Sequence, residues 1–213
     1  MKDRNMEIYA MTARELCPES LTERMALLAA SGLNGILLRE KDLPEAEYVK
    51  LARSGAAVCR RRGIDFGIHS RPAVARRLDL AWLHLSWTGF LALAAQKRTE
   101  MGEFARVGVS VHSVAEAARA AAWGADYLLA GHVFPTASKP GRAGRGVDFL
   151  RTVSGAAAAP VYAIGGLEAD NIGAVAASGV RGVFLMSSLM RAAAPGEQIA
   201  ALKAKATESE AGQ

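Results

Sequence analysis

The stretch Ala130–Arg142 (AGHVFPTASKPGR) gathers a histidine, two hydroxyls, a lysine and glycines into one short segment. A histidine both takes and returns a proton near neutral pH, so His132 reads as a general acid/base. Thr136, Ser138 and Lys139 have the donors to hold an anion, and Gly141–Gly146 (GRAGRG) reads as a mobile flap that keeps water from a reactive intermediate. Arg39 and Lys41 lie two residues apart, so in extended backbone they project to the same side. A guanidinium beside an ammonium suits a phosphate-bearing ligand; the plainer reading is a charged run that ends a strand. Two more segments point to an anion. Gly165-Gly166 frees backbone N–H groups from any Cβ, and Ser187-Ser188 adds hydroxyls where a helix begins. Paired glycines alone are common in turns. Together with paired serines after the next strand they read as a phosphate site.

The other histidines are His69, His84 and His112, and all four fall at or just beyond the carboxyl end of a candidate strand. Four clustered imidazoles are a conceivable metal site. No H-x-H pair follows the first strand, however, and the carboxylates expected to share a catalytic metal are missing nearby. We therefore expect no metal. His69 and His84 read as hydrogen-bonded residues of the barrel interior, and His112 as a structural residue beside a helix cap.

These residues need a frame to bring them together. Short apolar segments recur at 7–11, 35–39, 65–69, 81–85, 106–110, 127–131, 160–164 and 182–186, each followed by a loop or a stretch of helical periodicity. Ser20…Glu23 and Ser113…Glu116 are capping boxes, and Asp42 reads as a cap shortly before Pro44 at a first helical turn. Eight β-α repeats predict a single-domain (β/α)8 TIM barrel over residues 1–202, with chemistry at the carboxyl ends of the strands. A doubly wound sheet would place a glycine-rich turn after its first strand, whereas Thr12–Pro18 contains no glycine. Residues 203–213 are polar and read as a frayed tail.

Composition narrows the function. At 213 residues, 51% hydrophobic and 22% charged, the chain is an ordinary globular one. Its two cysteines exclude a disulfide framework and fit a reducing cytoplasm. No apolar run nears the ~20 residues that cross a bilayer, and the N-terminus lacks the apolar core of a signal peptide. The net charge of +5 comes partly from Arg60–Arg62 and Arg76–Arg77, read as solvated helix ends without interleaved aromatics. We expect neither a nucleic-acid nor a membrane partner. Exposed Ala-rich helices would allow a homodimer.

The chain resembles the thiamine phosphate synthase/TenI superfamily of small (β/α)8 barrels over about residues 6–190. The resemblance is carried by Leu38-Arg39-Glu40-Lys41, Gly108–Ser113 (GVSVHS), Gly124–Tyr127 (GADY), Val133–Thr136 (VFPT), Ser138-Lys139, and Ile164-Gly165-Gly166 with Asn171. It implies a small phosphorylated ligand and adds Ser110 to the candidate binding residues. In the synthases, Mg²⁺ neutralises a leaving diphosphate, held by aspartates after strands 3 and 4. Here those loops read His69-Ser70-Arg71 and Ser86-Trp87-Thr88-Gly89-Phe90, with Ser70 and Gly89 where the aspartates stand.

Synthases also resemble Gly-Pro-Ile-Phe-Pro-Thr at strand 6, where this chain has Gly131-His132-Val133-Phe134. That change, with Gly144-Arg145-Gly146, resembles the TenI branch, which contains thiazole tautomerases. The implied activity is a cofactor-free proton shift that aromatises the thiazole synthase product to carboxythiazole phosphate. His132 would be the acid/base, and Gly165, Gly166, Ser187 and Ser188 would hold the phosphate. Arg39 and Lys41 would face the substrate carboxylate or be a remnant diphosphate site; Thr136, Ser138 and Lys139 share that ambiguity. The alternatives are a thiamine phosphate synthase and a non-catalytic regulatory or binding protein.

Overall fold

The computed structural model describes residues 6–96 and 102–211. Eight parallel strands close into a barrel in chain order: β1 Glu7–Met11, β2 Gly35–Leu38, β3 Asp65–His69, β4 Trp82–Leu85, β5 Arg106–Val111, β6 Tyr127–Gly131, β7 Val161–Ile164 and β8 Gly182–Leu185. The strands are short and almost wholly buried because both faces are covered, which is why they read as apolar runs and not as an alternation. The outer layer comprises α1 Leu21–Ala29, α2 Glu45–Arg62, α3 Pro72–Arg77, α4 Trp87–Gln96, α5 Val114–Ala122, α6 Gly146–Ala156, α7 Ile172–Ala176, α8 Ser187–Arg191 and α9 Pro195–Ala211. Among the described residues no helix is long and apolar enough to cross a membrane.

Inward side chains fill the lower half of the barrel. Tyr9, Trp82, Tyr127, Tyr162 and Phe184 form an interior aromatic cluster with Met11, Leu37 and Leu129. Gly67 and Gly108 make room for it: a Cβ on either would overlap the ring of Trp82 or of Tyr127. Arg106 closes the amino-terminal end, its guanidinium 4.7–5.0 Å from the ring centres of Tyr9, Trp82 and Tyr127 and 3.0 Å from Asp65. Arg106 thus plugs that end, and the cavity lies at the carboxyl end of the barrel.

The local signals fare unequally. Ser20 and Glu23 form the full reciprocal cap of α1. Ser113 caps α5, but the Glu116 carboxylate accepts from the backbone N–H of His112 instead of completing the box. Asp42 is no helix cap: Pro44 holds that position, and Asp42 pairs with Arg14. Nor is the chain frayed from residue 203. Helix α9 continues to Ala211 because Ile199, Leu202 and Ala206, spaced three and four apart, are buried, and the helix packs on α7. Arg60–Arg62 and Arg76–Arg77 occupy last helical turns, where the dipole favours cations.

Candidate active site

A strand turns successive side chains to opposite faces, so each inward aromatic sets the parity of what stands above it. Trp82 is followed by His84 and Ser86, Gly108 by Ser110 and His112, Tyr127 by Leu129 and Gly131, and Gly67 by His69. Of these, His69, Ser86, Ser110, His112, Leu129 and Gly131 line a cavity of about 270 Å³ at the carboxyl end of the barrel, and His84 stays fully buried beneath it. The residues singled out in the sequence come together there: Arg39, Lys41, Ser110, His132, Thr136, Ser138, Lys139, Gly165, Gly166, Ser187 and Ser188 all line it. So do His69, His112, Ser86 and an apolar floor of Met11, Leu129, Ile164 and Met186, none of which sequence reasoning placed at the site.

On the β2 side, the Arg39-Glu40-Lys41 run splits by parity. Glu40 is buried and turned away from the cavity; it accepts from Thr12 Oγ1 at 2.7 Å and from the backbone N–H and Nη1 of Arg14 at 3.1 Å. Thr12 Oγ1 in turn accepts from the backbone N–H of Arg39 at 2.8 Å. This pins the loop, leaving Arg39 and Lys41 to face the cavity opposite Lys139. None of these three cations has a carboxylate partner among the described residues. Burial, and for the lysines their neighbouring cations, push all three below their ordinary pKa values. Such a cluster is short of one anion.

On the β6 side, the chain beyond Gly131 stays paired with the chain beyond β7: Val133 N–H donates to the Ile164 carbonyl and Phe134 N–H to that of Gly165, both at 3.0 Å. Gly165 and Gly166 have left-handed φ of +104° and +66°. A Cβ on Gly165 would lie 2.5 Å from His132 Cβ, and one on Gly166 would lie 2.6 Å from the Pro135 carbonyl oxygen. The glycine pair thus lets the His132 loop approach β7, a role separate from any contact with an anion. The 141–146 segment is tied down at its far end, where Arg145 and Gly146 N–H groups donate to the His132 and Val133 carbonyls at 3.0 and 2.9 Å. His132 itself is 7% exposed; its Nε2 lies 3.4 Å from the Arg142 carbonyl, and its Nδ1 is buried without a partner. The 141–146 segment thus lies against the imidazole through the Arg142 carbonyl.

The three other histidines differ sharply. His84 has the interior, hydrogen-bonded place expected of it, 2.8 Å from both Tyr127 Oη and Ser110 Oγ. His69, expected to be hydrogen-bonded too, has a buried Nδ1 with no partner. His112 sits 3.4 Å from Glu116 yet also lines the cavity, so it is more than a cap-side loop residue. Burial, then the nearby charges of Arg39 and Lys41, push His69 down to about 3 from an ordinary 6.5, and burial holds His84 far below that ordinary value. Both rings are therefore neutral in the folded protein at pH values where the unfolded chain is already protonated. The unfolded state binds more protons in this window, so stability falls as pH drops from 6.5 toward 3, by up to ~1.4 kcal/mol per pH unit for His69, with His84 acting in the same direction. The urea midpoint should drop between about pH 7 and about pH 5, and less steeply in His69→Gln. Identical slopes in the two proteins would contradict the assignment.

Comparisons with known proteins come down on one family. The model for thiamine monophosphate synthase (TMP-TENI) matches residues 8–189. Among curated relatives, a thiamine-phosphate synthase of Moorella thermoacetica is 37% identical over 166 residues, covering 77% of this chain and 78% of that protein. One from Pyrococcus furiosus is 33% identical over 187 residues, covering 88% of each chain. A solved structure described as thiamine phosphate pyrophosphorylase from Pyrococcus furiosus superposes with a TM-score of 0.81 at 29% identity, covering 97% of this chain and 98% of the other. The fold alone is shared with 3-hexulose-6-phosphate synthase, at a TM-score of 0.67 and 17% identity. With the match spanning all eight strands and the whole cavity, the chain belongs to the thiamine monophosphate synthase (TMP-TENI) family.

Proposed function

We propose that within this family the chain acts as a thiazole tautomerase of the TenI type, an isomerase that moves a proton and uses no metal or redox cofactor. One observation carries the reading: the cavity offers imidazoles and cations but no aspartate or glutamate among its described lining. The names of the relatives favour thiamine-phosphate synthesis instead, and the Arg39, Lys41 and Lys139 cluster, suited to a diphosphate, is that reading's best support. Its Mg²⁺ requires hard oxygen ligands, usually carboxylates. Ser70 and Gly89 stand where the resemblance implies them, and Glu40 is engaged by Thr12 and Arg14. The described residues include no grouping of His, Cys, Asp or Glu able to hold a metal. The donor set does not fit Mg²⁺.

In the proposed reaction the substrate phosphate rests against Gly165, Gly166, Ser187 and Ser188, with Thr136, Ser138 and Lys139 closing over the ligand. Arg39 and Lys41 face the substrate carboxylate. His132 takes the proton from ring carbon 2, and the electron pair moves through the ring. A proton is then delivered from His132 to the exocyclic alkylidene carbon, leaving the ring aromatic. The buried setting excludes water, and the fixed cations hold the substrate against the imidazole.

The test is a pair of assays on one preparation. Conversion of the thiazole synthase product to carboxythiazole phosphate should proceed at an unchanged rate in excess EDTA. Activity lost in EDTA and restored by Mg²⁺, or a Mg²⁺-dependent condensation of the pyrimidine diphosphate with the thiazole phosphate, would overturn this reading in favour of the synthase.

A further inference from the structure

Beneath the cavity lies a buried hydrogen-bond chain with a fixed direction. Trp82 Nε1 is 3.0 Å from Tyr127 Oη, Tyr127 Oη is 2.8 Å from His84 Nδ1, and His84 Nε2 is 2.8 Å from Ser110 Oγ. An indole N–H can only donate, so Tyr127 Oη accepts from Trp82. Tyr127 is 1% exposed and its oxygen has one remaining partner, so its own proton must go to His84 Nδ1. His84 is fully buried and kept neutral by that burial, so its single ring proton sits on Nε2 and is donated to Ser110 Oγ. The Ser110 oxygen is thereby used as an acceptor from below. Its own proton has no partner among the described residues, and Ser110 is half-buried on the cavity wall.

We infer that Trp82, Tyr127 and His84 form a positioning relay that locks Ser110 as a hydrogen-bond donor into the cavity, selecting ligands that place an acceptor atom over it. A free serine rotor presents donor or acceptor at will; here the acceptor role is taken, so a ligand offering a donor at that point meets no partner. The relay is built from neutral, buried groups of the barrel interior, so its polarity stays constant while the cationic rim above it takes up and releases anions. It rests on the tautomerase reading only for the choice of probe ligand.

The first measurement needs no variant. In ¹⁵N-labelled protein without ligand, the His84 ring should show the proton on Nε2 and a bare, hydrogen-bonded Nδ1, unchanged across neutral pH. The opposite tautomer, or a titrating ring, would overturn the relay. The second measurement is the Kd for carboxythiazole phosphate. His84→Gln keeps an acceptor for Tyr127 and a donor for Ser110, and should stay within about threefold of the parent. His84→Leu, of similar size but mute, should weaken binding by about tenfold, and by far less in a Ser110→Ala background, where the donor is already gone. Equal affinities for Gln and Leu variants would refute the positioning role. Failure of the parent protein to bind carboxythiazole phosphate would count against the tautomerase reading, and the ring spectrum would still decide the relay.

Discussion

Replacing His132 by alanine or glutamine is expected to lower kcat for thiazole tautomerisation by ~10²–10⁴-fold, the ordinary contribution of a general acid/base. KM should change little, because the groups assigned to the phosphate and carboxylate belong to other loops. A fall in kcat at constant KM marks a group that acts in the transition state. Glutamine is the more informative of the two. It keeps a donor and an acceptor, so it can still reach the Arg142 carbonyl that lies 3.4 Å from His132 Nε2, but it cannot carry a proton near neutral pH. If His132 served only to anchor the flap, the glutamine variant would retain nearly all of the rate. A value within about threefold of the parent would exclude His132 as the essential acid/base.

That experiment has force because the imidazole is constrained rather than merely present. His132 is 7% exposed and hemmed in by the paired extensions of β6 and β7. Its position was legible in the sequence: a polar residue directly after an apolar run ending in Gly131 must stand at a strand's carboxyl end. The barrel was legible for the same reason. Eight short apolar runs separated by helical patterns leave few ways to cover both faces of every strand, and the parallel barrel is the one that does so with eight.

What the sequence hid is mostly a matter of depth and of contacts across the fold. His69 and His84 both lie at strand ends in the sequence, yet one is locked in a hydrogen-bond chain and the other has a partnerless Nδ1. Nothing local separates them; their register against Trp82, Gly108 and Tyr127 does. With the inward facing of Trp82 known, strand parity alone puts Ser86 in the interior above His84, and Gly108 puts Ser110 and His112 there too. The C-terminal segment conceals its helix for a related reason. Its polar residues outnumber its apolar ones, but Ile199, Leu202 and Ala206 suffice to hold a helix against α7.

The glycine pair has a packing role that the sequence alone does not display. Gly165 and Gly166 attract attention as anion binders, yet the closest atoms to a Cβ on Gly165 are His132 Cβ at 2.5 Å and His132 Cα at 2.9 Å. Gly165→Ala therefore places a methyl where the His132 loop already stands, on a residue whose φ of +104° disfavours any side chain. The backbone atoms of His132 cannot swing aside like the end of a long side chain, so the loop must shift as a unit. A displacement of about 1 Å at a catalytic group costs on the order of 10²-fold in rate. The expected outcome is a fall in kcat of that size, with the fold retained, as judged by an unchanged far-ultraviolet circular dichroism spectrum. If Gly165 mattered only for access of a phosphate to the backbone, the variant would instead raise KM and leave kcat untouched. The kcat/KM split thus separates the two roles. A purely KM effect would mean that the His132 loop yields freely, contrary to the close packing that fixes it here.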